Sequence, residues 1–272
     1  MSEHTSVLLS EAIEALHINK GGKYIDATVG AAGHTAAILK AGGVVLGIDD
    51  DPIMLALAKK KLSGETRYRL VPGNFRNLKT IAQGQGFDRV DGILFDLGIS
   101  TIHYADERGF SFSESASLLD MRLNPQTQAV TAADLVNSLP ESQLAVLFED
   151  VMTFKPARRL ANKIVKARSE KKIKTVGDFL EIVGEGRKPM MALRMAVNSE
   201  VENLKAALPQ ALSLLKTGGR LVVISFHSGE DRIVKEFFGR FGRPARPVIA
   251  SQAEVIKNPS ARSAKMRVLI KI

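Results

Sequence analysis

Four short apolar runs punctuate the first hundred residues. Lys23-Tyr24-Ile25-Asp26-Ala27-Thr28, Val44-Val45-Leu46-Gly47-Ile48-Asp49, Tyr68-Arg69-Leu70-Val71 and Val90-Asp91-Gly92-Ile93-Leu94-Phe95-Asp96 each read as a strand. They are apolar almost throughout rather than alternating, which is the pattern of strands covered on both faces. Helical stretches lie between them: Thr35–Lys40, and a helix that Pro52 opens and that runs through Lys61. Before the first strand, Val7-Leu8-Leu9 and Ala12-Ile13-Leu16 have the spacing of an amphipathic helix, followed by the turn Lys20-Gly21-Gly22. This alternation predicts an α/β fold with a doubly wound, mostly parallel sheet, whose ligands bind beyond the carboxyl ends of the strands.

From about Thr131 to Arg187 the strand signal disappears. Thr131-Ala132-Ala133-Asp134-Leu135 reads as a capped helix start, and three further helical stretches follow. The pattern predicts an inserted helical subdomain, 113–194, between sheet-domain segments 1–112 and 195–272. After the insertion, Val201–Leu215 reads as a helix ended by Gly218-Gly219, and Arg220–Phe226 as a fifth strand. Met266–Ile272 is predicted to close the sheet as an antiparallel edge strand.

Three strand ends carry candidate chemistry. Asp26-Ala27-Thr28-Val29-Gly30 opening into Gly33-His34 puts small residues where backbone passes close to a ligand before a helix N-terminus. Many α/β proteins use such a turn for tight turning alone. Gly30-Ala31-Ala32-Gly33 does not register with the dinucleotide fingerprint G-x-G-x-x-G, so a cofactor without phosphates fits better. Asp49 ends the second strand about 20 residues beyond that turn, where a carboxylate can accept both ribose hydroxyls of an adenosine. Of its neighbours Asp50 and Asp51, the latter is the natural cap for the helix starting at Pro52. Asp96 ends the fourth strand and points toward the same crevice, or satisfies a loop. Phe75 either packs against an adenine or joins the core.

The 272 residues allow one large domain or a domain with an insertion, and 45% hydrophobic and 25% charged residues are ordinary globular usage. With no Cys, disulfides, thiolate zinc sites and a Cys nucleophile are excluded. Met1-Ser2-Glu3-His4-Thr5 lacks the parts of a signal peptide, and no apolar run reaches the roughly 20 residues of a membrane helix, so a cytoplasmic protein is expected. The net charge of +9 suits a polyanionic partner.

The stretches His4-Thr5-Ser6-Val7-Leu8-Leu9, Gly33-His34, Asp91–Ser100, Arg108-Gly109-Phe110-Ser111-Phe112, Leu119-Asp120-Met121-Arg122, Ile224–Arg232 and Asn258–Ala264 together resemble the bacterial RsmH (MraW) family nearly end to end. Those enzymes N4-methylate a cytidine in the decoding region of small-subunit ribosomal RNA. The resemblance implies a class I, Rossmann-like methyltransferase fold, S-adenosyl-L-methionine as cofactor, and the small-subunit ribosomal RNA or 30S subunit as partner. It implies cofactor contacts at Ala32, Gly33, His34, Asp49, Phe75 and Asp96, and a substrate-recognition role for the helical insertion. This sequence departs from the family at Gly30-Ala31-Ala32-Gly33-His34 (usually Gly-Arg-Gly-Gly-His) and at Asp49-Asp50-Asp51 (usually Asp-Arg-Asp). His103 stands where a cofactor-contacting Gln is usual, and the stretch around Pro189–Arg194 is shortened.

In that chemistry positioning the amine near the methyl group supplies much of the catalysis, and a strong base is not obligatory. An acceptor holding the amine N–H would favour attack and carry away the proton. Asp96 is the first candidate, assisted by Ser100. His227 either relays the proton or holds the loop of Asp231, which is the fourth catalytic candidate. No metal is expected, since His227, Glu230 and Asp231 lack metal-ligand spacing. Phosphate contacts are expected from Arg158, Arg159, Lys163, Lys166 and Arg168, opposite the apolar face Ala157, Leu160, Ala161, Ile164 and Val165, unless that face is merely solvated. A second basic region holds Arg240, Arg243, Arg246, Lys257, Arg262, Lys265 and Arg267, with Phe237, Phe238 and Phe241 interleaved. A methyltransferase for another RNA base or for a protein side chain, and an RNA-binding assembly factor without turnover, are the alternatives; oligomeric state is left open.

Overall fold

The computed structural model describes residues 6–184, 186–242 and 245–272. His4, Thr5 and Arg243 lie outside the described residues. The chain forms two compact units, one running to Gly98 and resuming at Val201, the other Ile99–Glu200.

In chain order the first unit begins with α1 (Leu9–Leu16), β1 (Lys23–Asp26), α2 (Gly33–Lys40), β2 (Val44–Asp49), α3 (Pro52–Lys61), β3 (Tyr68–Pro72), α4 (Leu78–Gly84) and β4 (Val90–Asp96). The second contains α5 (Ala132–Ser138), α6 (Glu141–Glu149), α7 (Phe154–Glu170), α8 (Val176–Val183) and α9 (Arg187–Val197). The first unit then continues through α10 (Glu200–Leu214), β5 (Leu215–Ser225), α11 (Ser228–Phe238), β6 (Val248–Ile249), α12 (Gln252–Lys257) and β7 (Lys265–Ile270).

Among the described residues these strands form one seven-stranded sheet in the order β3-β2-β1-β4-β5-β7-β6. The pairings from β3 through β5 are parallel, and β7 runs antiparallel to both β5 and β6. Successive residues of a strand face opposite sides, and each side has its own core. Ile25, Leu46, Ile93, Phe95, Leu221 and Val223 are buried with Leu204, Leu208 and Phe237 on one face. Tyr24, Val45, Leu94, Val222 and Ile224 are buried with Leu8, Leu16, Ile38 and Ala261 on the other. The doubly wound α/β sheet expected from the apolar runs is therefore present.

Two boundaries differ from the pattern. The expected helix stop Gly218-Gly219 lies inside β5, because α10 already ends at Leu214; Gly218 takes φ +79° and donates its N–H to the Lys271 carbonyl at 2.7 Å. This bulges the strand start, a position that only glycine occupies without strain. The terminal strand β7 is not the sheet edge, since β6 pairs outside it.

The helical unit has its own core of Leu144, Phe148, Leu160, Ile164, Phe179 and Leu193. Capping boxes start two of its helices, Thr131 with Asp134 and Thr175 with Asp178, each satisfying backbone N–H groups that the first turn leaves open. The unit is wider than 113–194, running from Ile99 to Glu200, with Phe110 buried among its helices. Arg108 donates to the carbonyls of Arg122 and Leu123 and pairs with Asp106 at 2.8 Å, while Arg122 pairs with Asp120 at 2.7 Å. Both arginines are thus spent on holding their own loop together. No helix among the described residues is long and apolar enough to cross a membrane.

Candidate active site

The sheet order changes direction at β1, whose neighbours are β2 and β4, and the three carboxyl ends of these strands are Asp26, Asp49 and Asp96. In an open parallel sheet this switch point leaves a crevice, since the following connections diverge to opposite faces. The loop from β1 to α2 is tied down on both sides: Ala27 donates to the Leu94 carbonyl and Val29 to the Ile48 carbonyl, both at 2.9 Å. Gly30, at φ +50°, donates its N–H to the Asp49 carboxylate at 2.8 Å, and the other Asp49 oxygen accepts the Asp51 N–H at 2.9 Å. Asp49 therefore braces the turn from both oxygens. Asp51 caps α3 through the Ile53 N–H at 2.7 Å.

Ala32 is the residue before α2, fully buried and left-handed at φ +62°. That conformation costs an L-residue on the order of 1 kcal/mol, a cost glycine would avoid. Gly33 is demanded by space instead: a Cβ there would overlap the Ser6 hydroxyl. The apolar segment Val7-Leu8, itself buried, lies beside this turn, and Leu8 donates its N–H to Glu254 of α12 at 2.7 Å.

His34 follows, buried, with Nε2 3.1 Å from the Val7 carbonyl and Nδ1 3.5 Å from Asp96 Oδ2. A carbonyl only accepts, so Nε2 carries a hydrogen and Nδ1 faces the Asp96 carboxyl. One further proton shared between Nδ1 and Oδ2 makes that contact attractive. The other oxygen, Asp96 Oδ1, is buried without a hydrogen-bond partner. Burial, reinforced by the charges of Asp26 and Glu230, pushes the Asp96 carboxyl well above the usual carboxylate range. Asp26, 1% exposed, accepts the Thr35 hydroxyl at 2.7 Å, and burial raises its pKa to about 6.

At the end of β5, Glu230 reaches back from the first turn of α11 to accept the Phe226 N–H at 2.9 Å. His227 Nε2 is 3.2 Å from the same carboxylate but out of line for a hydrogen bond, and stays buried without one. Asp231 is committed elsewhere. Arg267 donates to it at 2.6 Å and Lys265 at 3.2 Å, and these cations hold its carboxyl below the usual range although burial alone would raise it. A carboxylate so paired is a poor base, and we assign Asp231 to joining α11 with β7.

The remaining sequence candidates fall in other settings. The ring of Phe75 packs edge-on against Phe95, centroids 5.6 Å apart, at the border of the core. Ser100 and His103 belong to the helical unit. The Ser100 hydroxyl accepts the Ile102 N–H at 3.3 Å, while the buried His103 ring packs on Phe110 at 5.3 Å and lies 3.2 Å from the Ser100 carbonyl. On α7, Arg158, Arg159, Lys163 and Lys166 are exposed opposite the buried Ala157, Leu160, Ala161 and Ile164, with Val165 half-buried. Arg168 instead donates to the Val136 carbonyl at 2.8 Å. Phe237 and Phe238 are core residues, leaving Phe241 as the exposed aromatic of that group. Asp26 and Thr28 stood in the sequence only as part of the turn motif, and Glu230 only beside His227 and Asp231; none was given an individual role. Thr28 accepts the Asp96 N–H at 2.7 Å and so fixes the end of β4. Asp26 was accessible to the strand-end argument that found Asp49 and Asp96.

The profile of the MraW methylase family matches residues 1–245. The chain belongs to the MraW methylase family. Among its relatives are proteins named ribosomal RNA small subunit methyltransferase H. That of Bacteroides thetaiotaomicron is 40% identical over 98% of this chain and 97% of its own, and that of Geobacter sulfurreducens is 40% identical over 99% of each. A Streptococcus mutans crystal structure, described as a candidate methyltransferase in complex with SAH, has the same fold. It superposes with TM-score 0.50 at 12% identity, covering 98% of this chain and 99% of that one. As a methylase of this family the chain takes its methyl group from S-adenosylmethionine. The β1–α2 turn fits such a ligand, with its left-handed Gly30, the acid Asp49 and the unpartnered Asp96 Oδ1 around one switch point. Among the described residues no group of three or more His, Asp or Glu is placed to hold a metal ion.

Proposed function

We propose that this methylase transfers a methyl group to N4 of a cytidine in the decoding region of the small-subunit ribosomal RNA. The observation that carries the reading is Asp96, whose Oδ2 is turned to His34 while Oδ1, buried at the end of β4, lacks a donor. An exocyclic amine supplies such a donor. The names of the 40%-identical relatives and the net charge of +9 support ribosomal RNA as the substrate.

When bound, S-adenosylmethionine supplies an electrophilic methyl group. The turn Ala32-Gly33-His34 and Asp49 would hold it, and Phe75 lies at the border of the same sheet end. The lone pair of a cytosine amine is delocalised into the ring, so it is a weak nucleophile. Accepting one of its N–H hydrogens at Asp96 Oδ1 orients the amine and returns electron density to nitrogen as the new bond forms. The proton then remains on Asp96, a carboxyl whose raised pKa suits it to receive one. His34 acts as a positioning residue by fixing Oδ2. The helical unit is the substrate-recognition element in this reading, its exposed Arg158, Arg159, Lys163 and Lys166 meeting phosphates.

Incubation with methyl-labelled cofactor and small ribosomal subunits, followed by digestion and nucleoside analysis, tests the proposal. Label in N4-methylcytidine is expected; label confined to another nucleoside, or to ribosomal protein, overturns it.

A further inference from the structure

A cavity of about 330 Å³ opens at the carboxyl end of β5, and none of its lining residues belongs to the β1–α2 turn. Its walls include Phe226, His227, Ile249, Arg262, Ser263 and Lys265. They combine a ring and an aliphatic side chain with a hydroxyl, an imidazole and two cations. Phe226 also borders the loop that leaves β4: a Cβ on Gly98 would stand 3.5 Å from its ring. The cavity therefore shares a wall with the segment that follows Asp96.

The two cations differ. Lys265 is shared with Asp231, at 3.2 Å, whereas Arg262 is exposed and makes no ion pair among the described residues. His227 Nε2 is buried without a hydrogen bond. A volume near 300 Å³ is at the lower end of small-ligand sites, the size of one nucleotide rather than of a dinucleotide. Ile249, 65% exposed, and Arg262 leave a rim on the solvent side, through which a polymer chain can continue.

We propose that this cavity takes one nucleotide of the substrate RNA flanking the methylated base. The base lies against Phe226 and Ile249 with its polar edge toward His227, and its phosphate meets Arg262 and Lys265. The inference rests on the RNA-methylation reading above and adds a second contact point on the strand.

The full-length protein and R262A, a surface change that leaves the core intact, are titrated with cytidine 5′-monophosphate, cytidine and inorganic phosphate. The same proteins are assayed for methyl transfer to small-subunit RNA at several salt concentrations. The monophosphate is expected to bind the parent better than cytidine or phosphate does, and R262A to weaken it on the order of tenfold. The RNA KM should rise several-fold more than kcat falls, and its logarithmic salt slope should shrink by about 0.7 to 0.9, one phosphate contact. Unchanged monophosphate affinity and unchanged salt slope in R262A, with the parent methylating RNA normally, overturn the cavity assignment alone. If the parent transfers no methyl to RNA, the functional reading falls. The titration then decides the cavity, and full monophosphate affinity in R262A overturns it.

Discussion

His34 Nδ1 and Asp96 Oδ2 stand 3.5 Å apart, with the imidazole anchored on its far side by the Val7 carbonyl. One carboxyl oxygen is thereby held by protein, while the other is buried without a hydrogen-bond partner and, in the function we propose, accepts from the substrate amine. Asp96→Asn is expected to lower kcat by about 10²- to 10⁴-fold, the range of lost acid–base assistance, with a smaller change in RNA affinity. Burial raises the Asp96 pKa, so kcat should climb with pH as the carboxyl ionises. His34→Ala removes the acceptor that shares the carboxyl proton at Oδ2 and so favours the protonated form, and that limb should move to lower pH. An unmoved limb in His34→Ala, measured in single-turnover methyl transfer, would refute the positioning role.

Gly33 and Ser6 form a pair that a double-mutant cycle can test. Gly33→Ala alone should be destabilising and should weaken cofactor binding, because the new methyl overlaps the Ser6 hydroxyl. With Ser6→Ala in the background, the nearest side-chain atom becomes the Ser6 Cβ at 3.1 Å, and much of the loss should return. Coupling on the order of 1 kcal/mol in chemical denaturation is expected for residues in direct contact; strict additivity counts against the geometry.

Asp26 should make stability depend on pH in an unusual direction. Its folded pKa of about 6 lies above the unfolded 3.8, so ionisation opposes folding. The penalty, at most about 3 kcal/mol, is complete above pH 6, fades as pH falls toward 3.8, and is absent below. Asp26→Asn should stabilise the fold at pH 8 by about 1 to 2 kcal/mol once the weaker acceptor for Thr35 is counted, seen as a higher melting temperature, and give no gain at pH 4. An equal shift at both pH values would show that the carboxyl is not perturbed as described.

Asp231→Ala strands the buried Arg267 without its counter-charge. A loss of about 3 kcal/mol or more is expected in urea unfolding. Because Asp231 ionises below the usual range when folded, its contribution is complete above about pH 4 and is lost as pH falls further. Methyl transfer per folded molecule should change little. A large drop in kcat in a fully folded Asp231→Ala would restore this residue to the proton path.

Much of the candidate site was readable along the chain, because parallel strands covered on both faces are apolar almost to their last residue. An acid at such an end stands out, as Asp49 and Asp96 did. Arg108 and Arg122 were equally conspicuous, yet only their hydrogen bonds revealed that they hold their own loop. Arg267 and Asp231 sit 36 residues apart in the chain, and no local pattern announces that a strand cation and a helix acid neutralise each other. Gly218 illustrates the same limit: a glycine pair after a helical stretch reads as a stop, but pairing with β4 and β7 draws it into the strand.

Hydrophobic periodicity by itself determined the α/β class, the strand ends and the helical insertion, since each follows from which local face must leave water. Tertiary structure decided which charges are available. A carboxylate or guanidinium has the same formula whether exposed, paired or desolvated, and only its neighbours in space separate Asp96, with one oxygen unpartnered, from Asp231, which is neutralised.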